Sequence, residues 1–281
     1  YPAVLVTVRI VTDSACDLPQ SVLDEFGIEV VPLTIRFGDQ EFVDRQDLTP
    51  KEFWARCAAS PTLPETAAPS PGQFTQAYER QLDTGASAIV VVSLSSALSA
   101  TMQSAELAAG SFDGRVTVVD SRSATLGEGM VVVAAARAAA RGASRDKVIA
   151  AAHESAARTK VFGALDTLDN LKKGGRIGNA KALLASVLSI KPIIEIRDGK
   201  VEEGGKQRTR SKALAFVVDQ MRASGPVEQV AVMHADCADV GAFTDQVRTV
   251  AGVEPIVGDI GAVVGSHAGI GTMGVAYQIR A

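Results

Sequence analysis

The sequence has few cysteines, and none is placed for a disulfide framework or a zinc site. The three cysteines, Cys16, Cys57 and Cys237, are odd in number and far apart. They form no C-x-x-C pair and no spacing typical of zinc ligands. The sequence also contains no H-E-x-x-H and no carboxylate-rich metal-binding loop. We therefore predict reduced thiols, a cytoplasmic protein, and a site that needs neither a metal nor another cofactor.

Aromatic residues, surplus positive charge and long apolar runs are also scarce. Aromatic residues make up 5% of the chain, with one tryptophan, and the net charge is −4. These values argue against a nucleic-acid-binding surface, which needs basic patches and aromatic stacking platforms. The longest apolar run, 130–136, is followed by Arg137 and is too short to span a membrane. The first residues, YPAVLVTVRIV, are more typical of a first strand than of a signal peptide.

What the sequence does contain is an alternation of buried strands and helices. Its 281 residues suit one large or two modest domains, and 47% of them are hydrophobic. Apolar strands alternate with helices in the first half, which predicts a mostly parallel sheet flanked by helices. Hairpin signals such as Asp198-Gly199 appear in the second half, which predicts a smaller mixed sheet with helices. The predicted fold is α/β, with two α/β domains at residues 1–160 and 161–281.

Several local predictions concern the surroundings of the candidate site. Strands are predicted over residues 4–12 and 28–37, and a helix from Asn179 to about residue 188. The four prolines of residues 60–72 predict an extended, stiff loop. Thr49–Glu52 has a capping-box sequence, and Ser70–Gln73 resembles one, so a helix should follow each start.

The most informative stretch is a strand that ends in a cluster of hydroxyl groups, within residues 87–105. The apolar residues 88–92 predict a buried strand, and a predicted helix follows the hydroxyl residues Ser93, Ser95, Ser96, Ser99 and Thr101. Hydroxyls and the unpaired N–H groups of a helix N-terminus can bind a small anion. Ligands of open α/β sheets bind just beyond the carboxyl ends of strands. Each single serine also fits a plain capping role, but the cluster predicts at least one ligand contact.

Three segments that look like nucleotide or nucleophile motifs do not meet the requirements of those motifs. Residues 269–274 match G-x-G-x-x-G, but the seven residues that follow contain no βαβ unit and no acidic residue. Residues 174–181 are glycine-rich and basic, but they do not match G-x-x-x-x-G-K-[ST]. His234, Asp236 and Cys237 are neighbours in sequence, whereas the residues of a catalytic triad are neighbours in space.

Two basic side chains in glycine-rich segments are candidates for contact with an anion. Arg176 follows Gly174-Gly175 and fits either a solvated turn or an anion contact. His267 lies in a glycine-framed loop, Gly265–Gly269, without helical or strand periodicity. A neutral imidazole can donate at one nitrogen and accept at the other, and near pH 6.5 it can become a cation. The sequence leaves open whether His267 binds a ligand or occupies a surface turn.

Taken in order, these segments resemble the DegV family over essentially the whole chain. Thr12–Ser14 with Asp17–Pro19 is similar to the family's opening T-D-S-x-x-D-L-P. The segments that follow in the family's order are Thr66–Pro71 (T-S-Q-P-S-P in the family), Ser95–Thr101 (S-S-x-L-S-G-T), Asp120-Ser121, Lys173–Ile177, Lys191-Pro192 and Gly265–Gly269 (within G-x-H-x-G-P-G).

The resemblance implies a fatty-acid-binding protein, the substrate carrier of the bacterial fatty-acid kinase, rather than an enzyme. One long-chain fatty acid would lie in a buried apolar tunnel with its carboxylate near the domain junction. A separate kinase would phosphorylate that carboxylate to an acyl-phosphate near Arg176. The ligand-binding residues implied by the resemblance are Thr66, Ser95 or Ser96, Arg176, His267 and Gly269.

This sequence departs from the family pattern at four positions near the implied site. Ala67 and Ala68 replace a serine and a glutamine, Ala100 replaces a glycine, and Ile270 replaces a proline. The fold prediction is unaffected by these changes. They leave open the acyl chain that is accepted and the way in which the head group is held.

Other functions remain alternatives at this point. A small-molecule kinase or hydrolase could use Ser95, Ser96 or His267, but it would need a nucleotide loop, a metal set or a base beside a nucleophile. A transcription-linked acyl sensor is disfavoured by the acidic balance and the missing DNA-binding motif. The basic cluster Lys206–Lys212 is either a docking surface for the kinase or a solvated face. Lipid exchange would also allow transient membrane contact.

Overall fold

The computed structural model describes residues 7–185 and 190–280. Its strands are β1 (Val8–Asp13), β2 (Glu29–Val31), β3 (Thr34–Phe37), β4 (Gln40–Val43), β5 (Glu65–Ala67), β6 (Ala88–Ser93), β7 (Val116–Asp120), β8 (Thr159–Ala164), β9 (Lys191–Arg197), β10 (Lys200–Gln207), β11 (Val227–His234), β12 (Ile256–Asp259) and β13 (Met273–Ile279). Its α-helices are α1 (Gln20–Phe26), α2 (Pro50–Ala59), α3 (Pro71–Asp83), α4 (Thr101–Ala109), α5 (Thr125–Ala140), α6 (Arg145–Arg158), α7 (Asp169–Lys173), α8 (Arg210–Ala223), α9 (Val240–Ala251) and α10 (Ala262–Ala268).

The first sheet is parallel, as the sequence predicts, with the strand order β2-β1-β6-β7. All six residues of β6 are buried, which is typical of a parallel strand covered on both faces. Side chains alternate between the two faces of a strand. Ile89 and Val91 accordingly pack with α3 and α4, whereas Val90 and Val92 pack with α5 and α6. The sheet is therefore flanked by helices on both sides.

A small antiparallel sheet, β4-β3-β5, lies beside the parallel one. The prediction of a single strand over residues 28–37 is wrong. This segment forms two strands, β2 and β3, which belong to different sheets. The division falls at Pro32, which has no N–H to donate to a ladder. The neighbouring Leu33 N–H donates instead to the Ser14 hydroxyl, at 3.1 Å. Part of the predicted proline-rich loop forms β5, where Thr66 pairs with Ile35.

The C-terminal sheet is mixed, as predicted, with the order β10-β9-β8-β13-β11-β12. Only the β11–β12 pair is parallel among the described strands of this sheet. The prediction that this sheet is the smaller one is wrong, because it has six strands and the parallel sheet has four. It gains strands because the predicted β9–β10 hairpin extends it on one side. The C-terminal strand β13 also lies between β8 and β11.

Helix α5 lies between the two large sheets. It contacts β1 and β6 of the parallel sheet and β8 and β11 of the mixed sheet. A Cβ atom at Gly129 would lie 2.9 Å from the Cys16 carbonyl oxygen, so glycine permits this close approach. One hydrophobic cluster includes residues from both halves, such as Val132 and Val161. The predicted boundary between residues 160 and 161 falls inside β8, and the division into two domains stays a prediction.

Two local predictions lie partly outside the described residues. The first three residues of the strand predicted over 4–12 lie outside them. So does the end of the helix predicted from Asn179 to about residue 188. The described part of the first prediction is β1. The described part of the second is a 3₁₀ helix over Gly178–Ala185 rather than an α-helix.

Candidate functional site

A largely apolar cavity lies where the three sheets meet α7 and α10. It encloses about 600 Å³, part of which is open to solvent. Its apolar lining comes from Leu33, Leu94, Leu98, Ala124, Leu171, Ile194, Ile196, Val201, Val263, Val264 and Ala268. Four polar side chains complete the lining, namely Thr66, Ser99, Arg176 and His267.

His267 lies in the last turn of α10, so the prediction of a glycine-framed loop without periodicity is wrong. The helix forms because Gly265 lets its backbone approach α2. A Cβ at Gly265 would lie 2.8 Å from the ring of Trp54. Residues three and four apart share one face of a helix, which directs Val263, Val264 and His267 toward the cavity together.

Thr66 and His267 form the polar contact of the cavity, although 201 residues separate them in sequence. The Thr66 Oγ1 and His267 Nε2 atoms are 2.9 Å apart. His267 Nδ1 is buried and has no hydrogen-bond partner among the residues that the structure describes. The tautomer with its proton on Nε2 therefore leaves no buried donor unpaired. In that tautomer His267 donates to Thr66, and the Thr66 hydroxyl can donate to a ligand.

His267 is neutral at physiological pH. Burial, and secondarily the positive charge of Arg176, lower the pKa of His267 to about 4. The ordinary value is 6.5, at which the imidazole would titrate near neutrality. A carboxylate ligand would therefore meet a neutral imidazole, and the positive charge at the site comes from Arg176.

Arg176 is half-buried and is held by backbone oxygens. Its Nε donates to the Leu98 carbonyl at 3.1 Å, and its Nη1 donates to the Gly174 carbonyl at 2.6 Å. No ion pair joins Arg176 to a carboxylate within residues 7–185 and 190–280. Arg176 also contributes to the lining of the cavity, and its contact with an anion stays a prediction.

Ser95 and Ser96 do not line the cavity. The buried Ser95 hydroxyl donates to the Gly199 carbonyl at 2.7 Å and so fastens the β9–β10 hairpin to the loop after β6. The exposed Ser96 hydroxyl donates to Asp120 at 2.6 Å. Ser99, in the same hydroxyl cluster, lines the cavity instead. The cluster predicted a ligand contact, but the path of the turn, which the sequence does not reveal, decides which serine faces inward.

Gly269 is placed beside the cavity rather than in its lining. It follows α10 with φ +82°, a conformation that favours glycine, and its N–H donates to the Gly265 carbonyl. Its Cα faces the Asn170 side chain, which donates to the Ser266 carbonyl at 3.2 Å. Gly269 therefore ends α10 with a backbone hydrogen bond and leaves room for the Asn170 side chain of α7.

Two buried carboxyl groups of the opening motif position the site, a role that the sequence did not reveal. Asp13 accepts hydrogen bonds from Ser93 and from the Leu94 N–H, which ties β1 to the end of β6. Asp17 accepts from the Gly261 N–H at 3.0 Å and so fixes the start of α10. Burial raises the pKa of Asp13 to about 6 and that of Asp17 to about 7.

The described residues also bear on the other features that the sequence singled out. They contain no group of three or more His, Cys, Asp or Glu side chains that could hold a metal ion. None of the helices described is long and apolar enough to cross a membrane. Within the basic cluster, Arg210 is paired with Asp239 at 2.8 Å. Gly274, the last glycine of the G-x-G-x-x-G match, lies in β13.

Comparison with known proteins gives matches along nearly the full length of the chain. A family model of uncharacterised proteins, the DegV family, matches residues 7–280. A DegV domain-containing protein of Streptomyces coelicolor is 36% identical over 278 residues, which cover 97% of this chain and 99% of the relative.

Two of the solved structures with this fold are described by the fatty acid that they bind. A DegV family protein from Thermus thermophilus, described by its fatty-acid binding, has a TM-score of 0.90 and 34% identity and covers 97% of this chain and 100% of its own. A stearic-acid-binding protein from Eubacterium ventriosum has a TM-score of 0.88 and 25% identity, with 96% and 98% coverage.

Proposed function

Because this chain belongs to the DegV family, we propose that it binds one long-chain fatty acid in the cavity, with the carboxylate at Thr66, Ser99 and His267. The observation that carries the proposal is the Thr66–His267 pair in a largely apolar cavity. The fatty acids bound by the Thermus and Eubacterium relatives support the same ligand class.

The composition of the cavity suits a ligand with a long tail and a small acidic head. Each buried CH₂ contributes about 0.8 kcal/mol, so the apolar lining supplies most of the affinity. A buried carboxylate needs hydrogen-bond donors to offset its lost hydration. The Thr66 hydroxyl supplies one donor. The Ser99 hydroxyl accepts from the Thr101 N–H at 3.2 Å and lies 2.8 Å from Thr101 Oγ1, so it supplies a second donor when Thr101 donates within that hydroxyl pair. Arg176 lies within electrostatic reach of His267.

We propose that the protein is a carrier that presents the carboxylate to a separate fatty-acid kinase, which forms the acyl-phosphate. Arg176 lies in the lining, where its charge would favour an incoming phosphoryl group. We assign no catalytic residue to this chain. A hydrolytic Thr66–His267 pair would need an orienting carboxylate at His267 Nδ1, and the backbone of Gly174 lies against that atom.

The head-group assignment is tested by fatty-acid affinity in two variants and one control. Thr66→Val keeps the shape and strand preference of residue 66 but removes its hydroxyl, and Ser99→Ala removes the second donor. A hydrogen bond to a charged group is worth about 1.5–3 kcal/mol, so each variant should weaken palmitate binding about 10- to 100-fold.

The matched control is Ser96→Ala, since Ser96 belongs to the same turn and its hydroxyl bonds to Asp120 outside the cavity. This variant should bind palmitate like the wild type in isothermal titration calorimetry. If Ser96→Ala weakens binding while Thr66→Val and Ser99→Ala do not, the carboxylate does not lie at Thr66 and Ser99.

A further inference from the structure

Gly174 has no conformational reason to be glycine. It follows the last residue of α7 with φ −74° and ψ −6°, in the right-handed region that any L-residue adopts. The next residue, Gly175, is different, because its φ of +72° favours glycine. The absence of a side chain at Gly174 therefore needs a packing explanation.

The imidazole of His267 occupies the space that a side chain at Gly174 would fill. A Cβ atom at Gly174 would lie 2.9 Å from His267 Cε1 and closer still to Nδ1. It would also lie 3.1 Å from the Asn170 carbonyl oxygen. Real Cβ atoms do not approach ring atoms so closely, so alanine at 174 and the observed ring position exclude each other.

We propose that Gly174 is a positioning residue for His267, whose bare backbone covers the Nδ1 edge of the imidazole and directs Nε2 toward Thr66. The inference rests on the proposed function and deepens it. Covering Nδ1 keeps water from that nitrogen, which favours the tautomer that donates from Nε2 to Thr66. The Gly174 carbonyl also accepts from Arg176 Nη1, at 2.6 Å. One residue therefore positions both the neutral donor and the positive charge of the site.

The test is Gly174→Ala. The backbone conformation accepts alanine, and this exchange alone favours the folded chain by restricting the unfolded one. The added methyl group should displace the His267 ring and separate it from Thr66. We expect palmitate to bind at least 10-fold more weakly.

A second measurement needs no fatty acid. In the ligand-free variant the displaced imidazole gains water, so the pKa of His267 should rise from about 4 toward 6.5 in an NMR titration of its ring protons. Because this measurement is independent of the ligand, it separates failure of the positioning role from failure of the proposed function.

The matched control is Gly110→Ala. Gly110 also follows the end of a helix with right-handed dihedral angles, φ −56° and ψ −22°. A Cβ there would meet its nearest neighbour, the Leu107 carbonyl, at an ordinary 3.5 Å. Gly110→Ala should leave both the affinity and the pKa of His267 at their wild-type values.

A double variant decides whether Gly174 acts through His267. His267→Ala removes the ring, so adding Gly174→Ala should cost no further affinity, and only the 3.1 Å contact with the Asn170 carbonyl remains to lower the thermal stability. If Gly174→Ala alone does not fold, the double variant should still fold. The proposal is overturned if Gly174→Ala keeps wild-type affinity and histidine pKa, if its loss of affinity persists in the His267→Ala background, or if the double variant does not fold.

Discussion

Lowering the pH should destabilise the folded chain through His267, because the buried imidazole resists protonation. A comparison with one variant separates this effect from those of the other titrating groups. The pKa of His267 is about 4 in the folded chain and 6.5 when exposed, so the unfolded chain binds more protons between these values. Stability rises with pH wherever the unfolded state binds more protons. The contribution of neutral His267 is therefore fully present above pH 6.5 and is lost as the pH falls toward 4.

The magnitude follows from the two pKa values. One pH unit corresponds to about 1.36 kcal/mol, so the full effect is about 3 kcal/mol and about 2.5 kcal/mol of it is lost by pH 4.5. Buried Asp13 and Asp17 act in the opposite direction. Their raised pKa values, about 6 and about 7, make the folded chain bind more protons below neutrality and add stability as the pH falls. The effect of His267 therefore cannot be read from the pH dependence of the wild-type free energy of unfolding alone.

The assay compares urea denaturation of the wild type and His267→Gln from pH 7.5 to pH 4.5. Glutamine retains a donor near the Nε2 position but does not titrate, and the carboxyl contributions cancel in the difference. The free energy of unfolding of the wild type, relative to the variant, should fall by about 2.5 kcal/mol over this range. Parallel pH curves for the two proteins would refute the assignment of a buried, neutral His267.

Two further predictions concern the strand packing and the tail of the ligand. Gly274→Ala should lower the free energy of unfolding by about 1–3 kcal/mol, because its Cβ would meet the Phe162 carbonyl and lie 3.0 Å from Gly163 Cα. In urea denaturation the control Gly241→Ala, with nothing within 4 Å, should not destabilise; equal losses would contradict the packing argument. Saturated fatty acids should bind about fourfold more tightly per added CH₂ until the cavity is filled, from about 0.8 kcal/mol per CH₂. Calorimetry with chains of increasing length checks this, and affinity independent of length would argue against tail burial.

The elements with strong local signals could be predicted from the sequence. The apolar run before Ser93 predicted β6, and Asp198-Gly199 predicted the turn of the β9–β10 hairpin. The capping sequence at Thr49 predicted the start of α2, where both capping-box hydrogen bonds are present. In each case the hydrophobic pattern and the local backbone chemistry point to the same structure, so tertiary contacts need not decide between alternatives.

The features that escaped prediction depend on contacts between distant parts of the chain. Helix α10 is short and rich in glycine, and packing against Trp54 stabilises it where helix propensity does not. Pro32 divides a run that has strand character on both sides. Ser99 rather than Ser95 faces the cavity because Ser95 bonds to the hairpin at Gly199, 104 residues away. The hydrophobic periodicity of the sequence does not predict these contacts between distant residues.

The most direct test of the central claim is mass spectrometry of a solvent extract of the purified protein. A long-chain fatty acid should co-purify with the protein at close to one molecule per chain. The same preparation, stripped of lipid, should bind palmitate again at that stoichiometry. An extract without fatty acid, together with a stripped protein that takes up none, would contradict the claim that the cavity at Thr66 and His267 is a fatty-acid site.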